Sequence, residues 1–400
     1  MFILSAEPVT TFPEQEPAAT RPRILFLFSD TGGGHRASAS AVLRAMDMAY
    51  PGRFDVELFD PFVESSRPFL GWLVYRYAWL IKNAPSLYSL VFHATDNKVM
   101  TRLALRIFGR QFRPGFRKDL AQRRADAVVS FHPLLNHVVL QVMDEAGPHI
   151  PFITVITDMS EFHRFWMAGN ADLIVVPSRD ARRYCIERGV DPRKVMAVGL
   201  PVDPRFTGPP DPRTRPALRA RLGLQDRATL LMMGGGEGTG RLGAYARALD
   251  KADLGVQLVI VCGRNERLKK RLEAYPWHGP VHVFGFVDNM PELMQASDAV
   301  VTKAGPGTIS EALISGLPLL LTSFVPGQEE GNVKFVQDHH LGWYTPRVKQ
   351  LVRRVRWAFG PGHEELERMK GRAETEGRPD AASEIATLIA AAAVPATGAG

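Results

Sequence analysis

The chain has only two cysteines in 400 residues, Cys185 and Cys262, far apart and without a CxxC pair. That excludes a disulfide framework and a cysteine-ligated zinc site as organising devices, and it suits a reducing compartment. Long hydrophobic runs are also missing. The most apolar window, residues 69–81, is shorter than the ~20 residues a bilayer-spanning helix needs, and it carries Arg76. The opening Met1-Phe2-Ile3-Leu4 has no basic flank and is soon followed by Glu7, Glu14 and Glu16, so it reads as a disordered leader and not as a signal peptide. Neither GxGxxG spacing nor a DxD-type acidic pair at a strand end occurs in the stretches that invite one. The first absence weakens a dinucleotide reading, and the second weakens a metal-dependent one.

What is present is size, apolar content and positive charge. A chain of 400 residues with 45% hydrophobic content can bury two cores. A net charge of +7 and a pI near 9.5 allow nucleic acid, anionic lipid or a phosphorylated ligand as partner. The basic residues are unevenly placed: Arg102, Arg106, Arg110, Arg113, Arg117, Lys118, Arg123 and Arg124 are opposed in residues 101–124 only by Asp119. Upstream, Phe69, Trp72, Tyr75, Tyr77, Trp79 and Leu80 crowd one short segment. An apolar and basic surface is what attachment to anionic membrane lipid needs, and two core helices with a solvated charged face would give the same pattern. No recognised nucleic-acid module accompanies the aromatics, so no nucleic-acid partner is expected.

Strand and helix patterns alternate along the chain. Strands are expected at 23–29, 54–59, 127–130, 152–156 and 173–176, with helices at 36–50 and 179–188. The proline-rich stretch after Val198-Gly199-Leu200-Pro201 interrupts the alternation and reads as a domain linker. The pattern then restarts, with strands expected at 229–233, 257–262, 281–284, 299–302 and 319–322. The fold class expected is α/β, with two Rossmann-like domains, each a parallel sheet covered by helices. Residues 1–22 are expected as the leader, 23–199 and 200–375 as the two domains, and 376–400 as a tail disordered from about residue 390.

Glycines sit where strand turns into helix. Lys303-Ala304-Gly305-Pro306-Gly307-Thr308-Ile309-Ser310-Glu311 follows an apolar strand, and Gly234-Gly235-Gly236-Glu237-Gly238 follows another. Exposed backbone N–H groups and the helix dipole at such junctions favour a phosphate. Glu311, one turn into its helix, is placed to accept from ribose hydroxyls. Gln328 and Glu329, in a loop after the next strand, are placed to hold sugar hydroxyls at the carboxyl edge of the sheet. These residues read as a nucleotide-sugar site.

The block from Lys303 to Asn332 closely resembles the donor site of the family containing monogalactosyldiacylglycerol synthases and the peptidoglycan N-acetylglucosaminyltransferase. Ser29-Asp30-Thr31-Gly32-Gly33-Gly34-His35, Phe131-His132-Pro133 and Thr157-Asp158-Met159 resemble the galactolipid branch more than the peptidoglycan branch. The resemblance implies two domains facing a cleft, the GT-B architecture of glycosyltransferases. It implies inverting transfer of a hexose, galactose favoured over glucose, from a UDP-sugar to the hydroxyl of 1,2-diacylglycerol. Donor contacts are expected from Gly235, Gly236, Lys303, Ala304, Gly305, Gly307, Thr308, Glu311, Gln328, Glu329 and Asn332, and acceptor contacts from Gly33, Gly34, His132 and Trp166. His35, opening a helix whose N-terminus disfavours imidazolium, is the expected general base; acceptor positioning is its alternative role. Asp158 is expected to orient or assist it, or else to cap a helix. No cofactor or metal is expected, since UDP-hexose is a substrate and backbone N–H groups serve the leaving group. The expected location is cytoplasmic, peripheral on the inner face of the cell membrane. Transfer of UDP-N-acetylglucosamine to a polyprenyl-linked acceptor, nucleotide-sugar epimerisation and non-catalytic binding remain as alternatives.

Overall fold

The structure, a computed structural model, describes residues 21–29, 33–64, 79–80, 83–209, 211, 213–235 and 241–394. Asp30, Thr31, Gly32, Gly236 and nearly all of the aromatic segment 69–80 lie outside the described residues. Twelve described strands form two six-stranded parallel sheets. The first runs in the order β2-β1-β3-β4-β5-β6, from β1 (Arg23–Leu27), β2 (Asp55–Phe59), β3 (Ala127–Ser130), β4 (Phe152–Val155), β5 (Leu173–Val176) and β6 (Val195–Ala197). The second runs β12-β11-β10-β7-β8-β9, from β7 (Thr229–Met233), β8 (Gln257–Val261), β9 (Val281–Phe284), β10 (Ala299–Lys303), β11 (Leu319–Ser323) and β12 (Gly342–Tyr344).

Successive side chains of a strand point to opposite faces, and here both faces are covered. Leu25 and Leu27 of β1 enter one core while Ile24 and Phe26 enter another. In β7, Leu231 and Met233 go to one side, Leu230 and Met232 to the other. Each sheet therefore sits between two apolar layers, and the continuous apolar runs in the sequence are the signature of that double burial. The edge strands β6 and β12 were not expected, because three residues are too few to show a period.

The end of the chain corrects an expectation. Residues 390–393, expected to be disordered, complete a helix, Ala381–Ala393, whose Ala381, Ala382, Ile385, Ala386, Ile389 and Ala393 pack against Ala39, Val42, Ala45 and Met46 of the helix Gly34–Ala49; residues 395–400 lie outside the described residues. The stripe recurs at helical spacing, but its alanines bury little area each and so gave a weak apolar signal. The chain thus crosses back to the first sheet after completing the second. Gly199 makes that crossing possible: its φ is +134°, and a β-carbon there would lie 2.7 Å from the β-carbons of Arg378 and Ala381.

Candidate active site between the two sheets

In both sheets the strand order reverses beside the first strand: β1 lies between β2 and β3, and β7 between β8 and β10. Ligands of open α/β sheets bind beyond the carboxyl ends at such reversals. Beyond β1 come Gly33, the left-handed N-cap (φ 78°) of the helix Gly34–Ala49, and then His35; beyond β3 comes His132. Beyond β7 come Gly234 and Gly235, and β10 ends at Lys303. The expected glycines lie in open space at the first edge, where a β-carbon at Gly33 or Gly34 would meet nothing within 4 Å.

On the first side, His35 Nδ1 lies 3.0 Å from Thr157 Oγ1, and its ring meets His132 edge-on at 4.9 Å and Trp166 at 5.8 Å. Burial lowers the His35 pKa to about 4, against a smaller opposing hydrogen bond with the Phe131 backbone. The ring is therefore neutral near pH 7, as expected, with desolvation as the largest cause. His132 is buried, its Nδ1 has no hydrogen-bond partner among the described residues, and burial first and His35 second hold its pKa well below the usual value. Asp158 is buried and accepts from Trp166 Nε1 at 2.8 Å. Its burial raises its pKa to about 7; the Trp166 hydrogen bond opposes the rise and the charge of Glu329 adds to it. No helix begins at Asp158, so the capping role falls away.

On the second side, Lys303 Nζ pairs with Glu329 Oε1 at 2.6 Å, and Val325 N donates to Glu329 Oε2 at 2.8 Å. A β-carbon at Gly235 would lie 3.4 Å from Lys303 Cε, and one at Gly305 would lie 3.0 Å from Lys303 Nζ. The lysine thus stands between the two glycine turns. Gly305 caps the helix Pro306–Ile314, with Gly307 and Thr308 in its first turn and Glu311 one turn on. Burial, and then the charge of Asp203, push Glu311 up to about 8. A carboxyl so placed is protonated at neutral pH, and its ionised form gains from any hydroxyl donors brought to it.

Three of the expected contact residues are held in internal bonds or in the core. Asn332 is fully buried, and its amide spans the two halves: Oδ1 accepts from Met159 N and Nδ2 donates to Ala304 O, each at 3.0 Å. Ala304 puts its methyl in the second core, and its N–H goes to Ser323 O. Trp166 is 1% exposed, because its indole N–H finds a buried carboxylate and Asn136 Nδ2 holds its carbonyl at 3.1 Å. Sequence reading missed the supporting roles of Thr157, Ser160 and Asn136. Ser160 Oγ donates to Gly331 O at 2.8 Å, a second link from the Thr157-Asp158-Met159 loop to the donor-side loop. The block containing Thr157 was visible, but nothing in the sequence pairs it with residue 35. Among the described residues no three His, Cys, Asp or Glu side chains gather at metal-binding spacing.

The family profile described as monogalactosyldiacylglycerol (MGDG) synthase matches residues 35–202, and that of the glycosyltransferase family 28 C-terminal domain matches residues 229–385. The chain is 36% identical to the monogalactosyldiacylglycerol synthase of Spinacia oleracea, over 92% of this chain and 72% of that one. It is 35% identical to monogalactosyldiacylglycerol synthase 1 of Arabidopsis thaliana, over 92% and 70%. Among solved structures, Acinetobacter baumannii MurG shares the fold with a TM-score of 0.58 at 13% identity, over 92% of this chain and 100% of that one. The two parallel sheets are those of a GT-B glycosyltransferase. Both plant relatives are chloroplastic, which overturns the expected cytoplasmic location on the inner face of a cell membrane. No described helix is long and apolar enough to cross a membrane.

Proposed function

Since the chain belongs to the monogalactosyldiacylglycerol synthase family and is a glycosyltransferase, we propose that it transfers a hexose from a UDP-sugar to the hydroxyl of 1,2-diacylglycerol, with galactose as the favoured sugar. One observation carries this reading: three consecutive residues join base and donor site. Thr157 holds His35, Asp158 lies close enough to Glu329 to feel its charge, and Met159 N donates to Asn332 beside the Lys303 loop.

In the tautomer in which Thr157 Oγ1 accepts from Nδ1–H, the His35 lone pair is on Nε2, the nitrogen we assign to the acceptor hydroxyl. That nitrogen takes the hydroxyl proton as the oxygen attacks the anomeric carbon and the bond to UDP breaks. A single displacement inverts an α-linked donor to a β-glycoside. Lys303, the N–H groups at the start of the helix Pro306–Ile314 and the Gly234-Gly235 turn carry the charge growing on the diphosphate, with no cation assigned. Glu311 accepts from the ribose, and Gln328 and Glu329 from the hexose.

Diacylglycerol stays in its bilayer, so the cleft comes to the lipid. The helix Pro85–Thr95 exposes Leu87, Leu90 and Val91, and the helix Lys98–Arg123 exposes Val99, Leu103 and Ile107 beside exposed Arg102, Arg106 and Arg110. Apolar residues for the acyl boundary next to arginines for anionic headgroups form a docking face. A panel of UDP-galactose, UDP-glucose and UDP-N-acetylglucosamine with and without dispersed diacylglycerol tests the reading. The expected result is a β-hexosyl diacylglycerol with stoichiometric UDP. An epimerised donor, or UDP release indifferent to diacylglycerol, would overturn it.

A further inference from the structure

The helix Pro85–Thr95 does more than face solvent. Its Phe92 lies directly on the turn that opens the Gly327-Gln328-Glu329 loop: a β-carbon at Gly327 would sit 2.9 Å from Phe92 Cγ and 3.0 Å from Phe92 Cβ. Gly327 has φ +83°, so any side chain there meets both backbone strain and the ring. The contact is braced on each side. Phe92 meets the His163 ring edge-on at 5.0 Å, and His163 Nε2 lies 3.1 Å from Thr95 Oγ1. His93 Nε2 lies 3.5 Å from Glu330 Oε2, while the other oxygen of Glu330 accepts from Gly327 N at 3.0 Å.

The loop's internal bonds, Val325 N to Glu329 and Gly327 N to Glu330, fix its shape. Met159 and Ser160 tie Asn332 and Gly331, on its far side, to the first half of the molecule, and the Gly327 end needs a restraint of its own. Phe92 supplies that restraint from a helix more than 230 positions earlier in the chain. We propose that Phe92 is a positioning residue for the transferred hexose: by seating the Gly327 turn it holds Gln328 and Glu329 at the distance the sugar hydroxyls require. This rests on the reading that these two side chains hold the hexose. It adds that the lipid-facing helix sets the geometry of donor-sugar recognition.

The effect should appear with UDP-hexose and not with UDP, whose contacts lie at Lys303, Gly305 and Glu311. By calorimetry, Phe92→Ala is expected to weaken UDP-galactose about tenfold and to leave UDP within about twofold of wild type. Phe92→Leu, which keeps apolar volume over Gly327, is expected to recover most of the loss. Unchanged UDP-galactose affinity in Phe92→Ala would overturn the inference, as would equal losses for both ligands with no recovery in Phe92→Leu. If wild type binds UDP-galactose no differently from UDP, the assignment of Gln328 and Glu329 fails first, and that outcome is distinct from a silent Phe92.

Discussion

Glu311 shows at the scale of one residue how this site sets binding against stability. Its pKa is raised from 4.5 to about 8, so the folded protein holds a proton that the unfolded chain gives up. The associated stability is fully present below about pH 4.5 and is lost as pH rises through about 8. Glu311→Gln, which removes the charge without removing the shape, should therefore raise Tm at pH 8 by roughly 2–4 °C for each kcal/mol recovered and leave it unchanged near pH 4. Above about pH 8, where Glu311 is ionised, the same variant should weaken UDP, because an amide is a poorer acceptor for ribose hydroxyls than a carboxylate. Thermal melts at the two pH values and UDP calorimetry check both signs; a variant that is less stable at pH 8, or binds UDP as wild type does, contradicts the assignment. The place of Glu311 one turn into its helix was legible because its spacing from Gly305 is local. Asn332 was legible only as part of a motif. That its amide bridges to Met159, 173 positions away, depends on how the sheets meet and leaves no trace in local spacing.

The basic stretch shows how an element divides a pattern that the sequence presents as one. Arg113 and Arg117 reach Glu145, and Arg123 reaches Glu57 and Glu64, so the second half of the helix Lys98–Arg123 is tied to its neighbours. Arg102, Arg106 and Arg110 recur at four-residue spacing on the exposed first half, beside Leu103 and Ile107. Charge count alone could not separate these halves, because the carboxylates that neutralise one of them lie on other elements. Replacing Arg102, Arg106 and Arg110 by Gln should reduce sedimentation with anionic vesicles, at about 1 kcal/mol per arginine, with UDP affinity unchanged. Raised salt should weaken wild-type binding as well. Wild-type sedimentation by the triple variant would reduce this face to a solvated helix surface.

At the scale of the whole molecule, the two sheets were legible because parallel strands buried on both faces give continuous apolar runs with glycines at their ends. The closing helix Ala381–Ala393 was not, since alanine is weakly apolar and its partner helix lies at the other end of the chain. Other contacts also join distant parts of the chain: Lys334 Nζ to Glu161 Oε1 and His339 Nε2 to Asp180 Oδ2, both at 2.6 Å, and Arg44 to Asp203. They bring a neutral imidazole beyond one sheet to the glycine turns beyond the other, which neither half accomplishes alone. The central claim is that His35 removes the acceptor proton. It is tested most directly by kcat for UDP release with UDP-galactose and dispersed diacylglycerol, in wild type and in His35→Ala, with UDP affinity as the control for folding. The account predicts a fall of roughly a hundredfold or more at unchanged UDP affinity; turnover by His35→Ala within a few-fold of wild type would contradict it.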